Sequence, residues 1–224
     1  LRTPLTLVIA PLEELLRGPR ALAPEVRDDL ELALRNAERL LVEINTLLDL
    51  SRLDARRERL HLERVDVVQL LRQLVEGGRP LAESKHIDLS FQEVSPVPPL
   101  LVDRQKLEKV VLNLLSNALR FTDGQEGARG RVRVACGVRE ARFWCTVEDS
   151  GVGIPEQHLH RIFDRFHQVE GSARLRRGGT GIGLSLVKHI AEAHGGTVTV
   201  DSEPGHGAAF IIDIPLVEPK TEAA

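Results

Sequence analysis

The chain has 224 residues, 42% of them hydrophobic and 28% charged, with a formal net charge of -3. That is the balance of an ordinary globular protein with room for one or two domains, and it argues against a main role on a nucleic-acid backbone. No apolar run approaches the roughly 18 residues of a membrane span, no secretory signal precedes the first helix, and the two cysteines form no C-x-x-C pair.

The pattern is already running at Leu1 and the chain contains no methionine, so an N-terminus further upstream is expected. Leu1, Leu5, Val8, Leu12 and Leu15 follow the four-three spacing of a seam between helices. Pro4 inside this pattern requires a kink or a supporting neighbour, and Gly18, Pro19 and Pro24 end the helix. A second helix over residues 24–59 keeps the rhythm through Leu30, Leu34, Ala37, Leu41, Ile44, Leu48 and Ser51. Ala33, Leu40 and Leu47 widen its apolar stripe beyond what two helices can bury. Pairing with a second copy into a four-helix bundle would bury it, which predicts a homodimer.

From Leu62 the rhythm changes. Residues 65–68 predict a short strand, 69–84 a helix interrupted near Gly77, Gly78 and Pro80, 86–94 a strand, and 95–100 a proline-rich loop. Asp103 is placed to cap a helix that carries residues 107–122. Residues 131–138 and 142–148 alternate as a hairpin, with Cys136 and Cys145 on the inward parity as reduced core thiols and Trp144 packing on a sheet face. Reduced thiols suit a cytoplasmic location. Then follow a short helix over 155–163, a long loop over 164–180, a helix over 181–194, a closing hairpin of 197–200 with 208–214, and a polar, disordered tail. The fold class is α+β: an antiparallel helical hairpin (1–60), then an α/β sandwich with helices on one face (61–217), then the tail (218–224).

Three stretches could do chemistry. On the helix over 107–122, Val110, Val111, Leu114, Leu115, Ala118 and Leu119 mark a core face, while Asn113 and Asn117 stand one turn apart on another side. Amide oxygens ligate a hard cation such as Mg²⁺, and Arg120 one turn on could meet a phosphate. Asp149-Ser150-Gly151-Val152-Gly153-Ile154 ends a strand with an acid that can accept from an exocyclic amine, beside glycines that admit a ring to the backbone. Gly179-Thr180-Gly181-Ile182-Gly183-Leu184 precedes a helix, where free amides favour phosphate oxygens. Arg174, Arg176 and Arg177 lie just ahead of it, as a nucleotide lid would.

In this order the stretches resemble the asparagine box and two glycine boxes of sensor histidine kinases of two-component systems, within the ATPase superfamily shared with gyrase and mismatch-repair proteins. Arg161-Ile162-Phe163-Asp164-Arg165-Phe166-His167 is similar to the phenylalanine box, and Leu1-Arg2-Thr3-Pro4-Leu5 to the tail of the histidine box. The resemblance implies ATP and Mg²⁺ as cofactors and phosphoryl transfer to a histidine, then to a response-regulator receiver domain. It implies that Asp149 pairs with the adenine amine, Asn113 and Asn117 hold Mg²⁺, and Arg120 touches phosphate. It further implies that Phe121, Gly151, Gly153, Ile154 and Leu184 line the base or ribose, and that Thr180, Gly181 and Gly183 offer amides to phosphates. No nucleic acid and no membrane contact are implied for these residues.

Three departures stand out against the family. The acceptor histidine would fall two residues ahead of Leu1, so no self-phosphorylation is expected, and Thr3 takes the position the family associates with dephosphorylating the partner. Arg120 stands where lysine is usual. Ala208 stands where a hydroxyl residue often follows the closing Gly-x-Gly. Two other readings compete: a hydrolytic ATPase of the wider superfamily, which places a glutamate where Asn113 stands, and a non-catalytic dimerisation scaffold.

Overall fold

A computed structural model describes residues 2–18, 23–54, 60–124, 129–169 and 181–216, with residues 2–7, 35, 38–39, 42–43 and 45–54 described by backbone alone. The loop residues 170–180 and the tail from 217 therefore lie outside the described residues. The chain divides into two units, 1–58 and 59–224.

The first unit is a pair of helices packed against each other, α1 (Arg2–Arg17) and α2 (Pro24–Asp54). Pro11 lies inside α1. Ala37 is buried, whereas Val8, Leu15, Val26, Leu32 and Leu40 are exposed. Among the described residues no helix is long and apolar enough to cross a membrane.

The second unit runs β1 (Glu63–Val65), α3 (Val67–Ser84), β2 (Ile87–Glu93), β3 (Leu100–Val102), α4 (Arg104–Phe121), β4 (Gly130–Arg139), β5 (Arg142–Asp149), α5 (Glu156–Leu159), α6 (Gly183–Ala193), β6 (Thr197–Glu203) and β7 (Gly207–Pro215). The five-stranded sheet has the order β2-β4-β5-β7-β6, with β2 and β4 parallel and the other pairs antiparallel. Such a parallel pair needs a long crossover, which α4 supplies. Burial alternates strictly along β5, with Phe143, Cys145 and Val147 inward; α4 packs against β5, α3 against β2 and β4, and α6 against β6 and β7. Cys136 and Cys145 are free, buried and directly opposite in register; burial pushes the Cys136 thiol up to about 11 and raises Cys145 as well. On the opposite parity Trp144 is half-buried and its ring lies against Gly137.

Several local expectations change. Val67 and Val68 are not strand: the Asp66 carboxylate accepts from the Gln69 amide at 2.9 Å and starts α3 one residue after β1. The helix then continues through Gly77, Gly78 and Pro80. Gly78 allows this by packing, because a Cβ there would stand 3.3 Å from both Leu115 and Leu89. Leu100 belongs not to a loop but to β3, which pairs with β1 in a separate two-stranded sheet. The helix expected over 155–163 is regular only from Glu156 to Leu159.

Asp103 caps α4 by accepting from the Lys106 amide at 3.1 Å, and its second oxygen accepts from the His61 amide at 3.0 Å. Its own amide donates to His194 Nε2 at 3.0 Å, so that ring is neutral with its proton on Nδ1, which donates to the Ile190 carbonyl at 2.8 Å. One buried histidine thereby ties the end of α6 to the start of α4, and the start of α6 lies against the middle of α4.

Candidate nucleotide site

The site is built along α4. Helical rise puts Asn113, Asn117 and Phe121 on successive turns spanning about 12 Å. At the middle of α4 Asn113 Nδ2 donates to the Lys109 carbonyl at 2.8 Å, which leaves Oδ1 as the acceptor that faces away from the helix backbone. That oxygen lies against Gly183 at the start of α6, where a Cβ would come within 2.6 Å of it. A side chain at position 183 would push the Asn113 amide aside. Asn117 and Arg120 follow along α4, both half-buried.

At the C-terminal end of α4 the turn after β5 closes on Phe121. A Cβ on Gly151 would stand 2.5 Å from the Phe121 carbonyl, and the Val152 amide donates to that carbonyl at 3.4 Å. The same turn is pinned from the opposite side: the Ile154 amide donates to Ser202 Oγ at 2.9 Å, and the Gly205 amide donates to the Val152 carbonyl at 2.8 Å. Gly153 adopts φ +67 with its Cα against Glu203 and Pro204, a conformation and a closeness that a side chain would prevent.

Asp149 sits inside this ring, 8% exposed. Its Oδ1 accepts from the Gly151 amide at 2.8 Å. Burial pushes its carboxyl up to about 6; the amides of Gly151 and Ala208 and the Thr122 side chain oppose that rise. Thr122 is a component that sequence reading passed over. It is fully buried, and its side chain helps hold down the Asp149 carboxyl against the rise that burial causes.

Phe163 packs edge-on against Phe210 at 6.4 Å between ring centres. Phe166 is 63% exposed, and its amide donates to the Gly181 carbonyl at 2.9 Å, joining the two flanks of residues 170–180. The structure thus brings Asn113 to Gly183, and Asp149 to Gly151 and Phe121. Ile154 and Leu184 are half-buried on the two glycine turns. Thr180 and the arginines 174, 176 and 177 lie outside the described residues, and Thr3 lies in α1 of the other unit. Among the described residues no group of three or more His, Cys, Asp or Glu is arranged to hold a metal.

A family model for histidine kinase-, DNA gyrase B- and HSP90-like ATPases matches residues 102–218, and one for the phospho-acceptor domain of histidine kinases matches residues 1–56. The chain belongs to the sensor histidine kinase family. Both units of this histidine kinase core are therefore accounted for, in the order phospho-acceptor segment, then ATPase segment. Over 225 residues the chain is 40% identical to the sensor histidine kinase TmoS of Ectopseudomonas mendocina, covering 98% of this chain and 22% of TmoS. It is 37% identical to the hybrid signal transduction histidine kinase D of Dictyostelium discoideum, covering 96% of this chain and 14% of that protein. The chain thus spans under a quarter of the length of these two relatives. Among solved structures, full-length ShkA in complex with AMPPNP superposes with a TM-score of 0.80 at 31% identity, covering 97% of this chain and 44% of ShkA. The Acinetobacter baumannii histidine kinase AdeS shares the fold, with a TM-score of 0.68 at 22% identity over 97% of both chains.

Proposed function

We propose that this chain binds Mg²⁺-ATP and transfers the γ-phosphoryl group to a histidine, for relay to an aspartate on a response-regulator receiver domain. The observation that carries the reading is the convergence on α4: its middle meets the glycine that opens α6, and its C-terminal end meets the glycine turn holding a buried acid. The ShkA complex, in which a similar protein holds an ATP analogue, supports the same ligand class.

In this reading the ionised Asp149 accepts from the adenine amine, and the backbone at Gly151 and Gly153 leaves room for the ring. Phe121, Ile154 and Leu184 line the base and ribose. The amides of Thr180, Gly181 and Gly183 meet phosphate oxygens at the α6 N-terminus, and Arg120 adds a charge. The neutral oxygens of Asn113 and Asn117 suit a hard cation, and Mg²⁺ supplies charge neutralisation at the phosphates. The protein's own part is then orientation, because phosphoryl transfer rests on positioning more than on covalent chemistry. Thr3 serves dephosphorylation of the partner. The chain homodimerises through residues 1–60, and the exposed Val8, Leu15 and Leu40 support a second copy as their cover.

A transfer assay tests the reading. With radiolabelled ATP, Mg²⁺ and a separate helical hairpin bearing an acceptor histidine, acid-labile, alkali-stable label should appear on that histidine. Asn117→Ala should cut the rate about tenfold or more, through lost Mg²⁺-dependent ATP affinity. Steady ADP release with no phosphoprotein formed would replace the kinase reading with a hydrolytic ATPase.

A further inference from the structure

Along β6, Val198, Val200 and Ser202 take the half-buried parity, so a hydroxyl stands where the row is otherwise aliphatic. That hydroxyl makes two bonds. It accepts from the Ile154 amide at 2.9 Å and donates to the Gly207 carbonyl at 2.6 Å. The first partner lies 48 residues away in the turn after β5, and the second opens β7. These two partners bracket Asp149. In the first turn the Gly151 amide donates to Asp149 Oδ1 at 2.8 Å, and Gly207 lies so close that an added Cβ would land on the Asp149 carbonyl. Asp149 stands opposite Ala208, and Ala208 opposite Ser202, so the three share one row on one face of the sheet. A valine at 202 would continue the aliphatic row but leave the Ile154 N–H and the Gly207 carbonyl without this partner.

We propose that Ser202 is a positioning residue for base recognition: its one hydroxyl clasps the turn after β5 to the start of β7, and so holds the Asp149 carboxylate where it meets the exocyclic amine of a purine. This rests on the nucleotide reading of the site. An acceptor that reads one amine gains from a frame fixed before the base arrives, because ordering that frame on binding would cost affinity. The Gly205-to-Val152 bond ties the same two turns through backbone alone. Loss of the hydroxyl therefore loosens the setting of the acid without separating the turns.

The test titrates ADP and inosine diphosphate, each with Mg²⁺, into the whole chain as wild type, Ser202→Ala, Ser202→Cys and Ser202→Thr. The two nucleotides differ at the group Asp149 reads, because the amine of adenine is replaced by a carbonyl oxygen in hypoxanthine. Wild type should bind ADP about tenfold or more tighter than inosine diphosphate. Ser202→Ala should weaken ADP about 5- to 10-fold and inosine diphosphate no more than about twofold. Ser202→Cys keeps the shape of serine with a weak hydrogen-bonding group; it should follow Ser202→Ala and carries the test if that variant does not fold. Ser202→Thr keeps the hydroxyl and should hold both affinities within about twofold of wild type. Equal losses of the two nucleotides assign Ser202 to structure alone and overturn the proposal. Wild-type ADP affinity in the Ala and Cys variants, or a loss in Ser202→Thr as large as theirs, overturns it while leaving the nucleotide reading in place. A wild type that binds both nucleotides alike overturns it as well, since Asp149 then reads no amine. No binding of either nucleotide by folded wild type removes both readings.

Discussion

Asp149→Asn is expected to lose about 10- to 100-fold in ADP affinity and to fold at least as well as wild type. The loss follows from chemistry at one atom: a carboxylate accepts strongly from an amine, whereas an amide offers a weaker acceptor and brings a competing donor. Folding behaves differently because the acid is enclosed. Its carboxyl titrates at about 6 against an ordinary 3.8, so in the folded protein the charged form is disfavoured. The sign is that of an acid whose folded value is raised: stability is fully present below 3.8 and is lost as pH rises through about 6. At neutral pH this amounts to about 3 kcal/mol, which the neutral asparagine does not forfeit. ADP affinity of wild type should move the opposite way, falling as pH drops below about 6 and the acceptor is protonated. Calorimetric titration with parallel melts reads both effects; an equal fall in the melt with and without ADP would assign Asp149 to structure alone.

Gly153→Ala is expected to destabilise the second unit by about 3 kcal/mol and to abolish tight nucleotide binding. Two effects add. At φ +67 an L side chain costs about 1 kcal/mol, and the new methyl would land on the Glu203 carbonyl and Pro204 Cα. Those atoms are backbone of the β6–β7 turn and cannot rotate away, so the turn itself must shift. Shifting it breaks the Gly205-to-Val152 and Ile154-to-Ser202 hydrogen bonds that hold the loop around Asp149. The melting temperature should fall by roughly 6–12 °C. Gly205→Ala is the control: its φ of +83 carries a similar conformational cost, but nothing lies within 4 Å of the added methyl. A fall about one third as large is expected there, with ADP binding retained. Equal falls for the two variants would show that conformation alone, and not the close approach at Gly153, sets the cost.

Local pattern made much of this fold readable. The helix through Asn113 and Asn117, its Asp103 cap and the alternation of β5 are each written within a dozen residues, and the structure has all three; β4 alternates only as far as Val134, after which Ala135, Cys136 and Gly137 are all buried. The misreadings share another origin. Gly77, Gly78 and Pro80 look like a helix end until Leu89 and Leu115 press against Gly78, and those partners are supplied by other elements. The three residues of β3 carry too short a pattern to separate from a loop, and only pairing with β1 defines them. The parallel β2–β4 pair depends on which strands α4 connects, a property of topology that no single stretch encodes. The same division runs through the site. Glycine and asparagine spacing marked the middle and the C-terminal end of α4, whereas Thr122 looked like an ordinary helix terminus. Its burial under Gly130 and its place beside Asp149 exist only after the sheet has formed.

The central claim is that α4 and the two glycine turns hold one metal-bound nucleotide. Calorimetric titration of ATP into the folded chain, with Mg²⁺ and again with EDTA, tests it most directly. The account predicts saturable binding at a single site per chain that weakens when EDTA removes the metal. Binding that is indifferent to EDTA would remove Asn113 and Asn117 from a metal site, and the absence of saturable binding by folded protein would contradict the account as a whole.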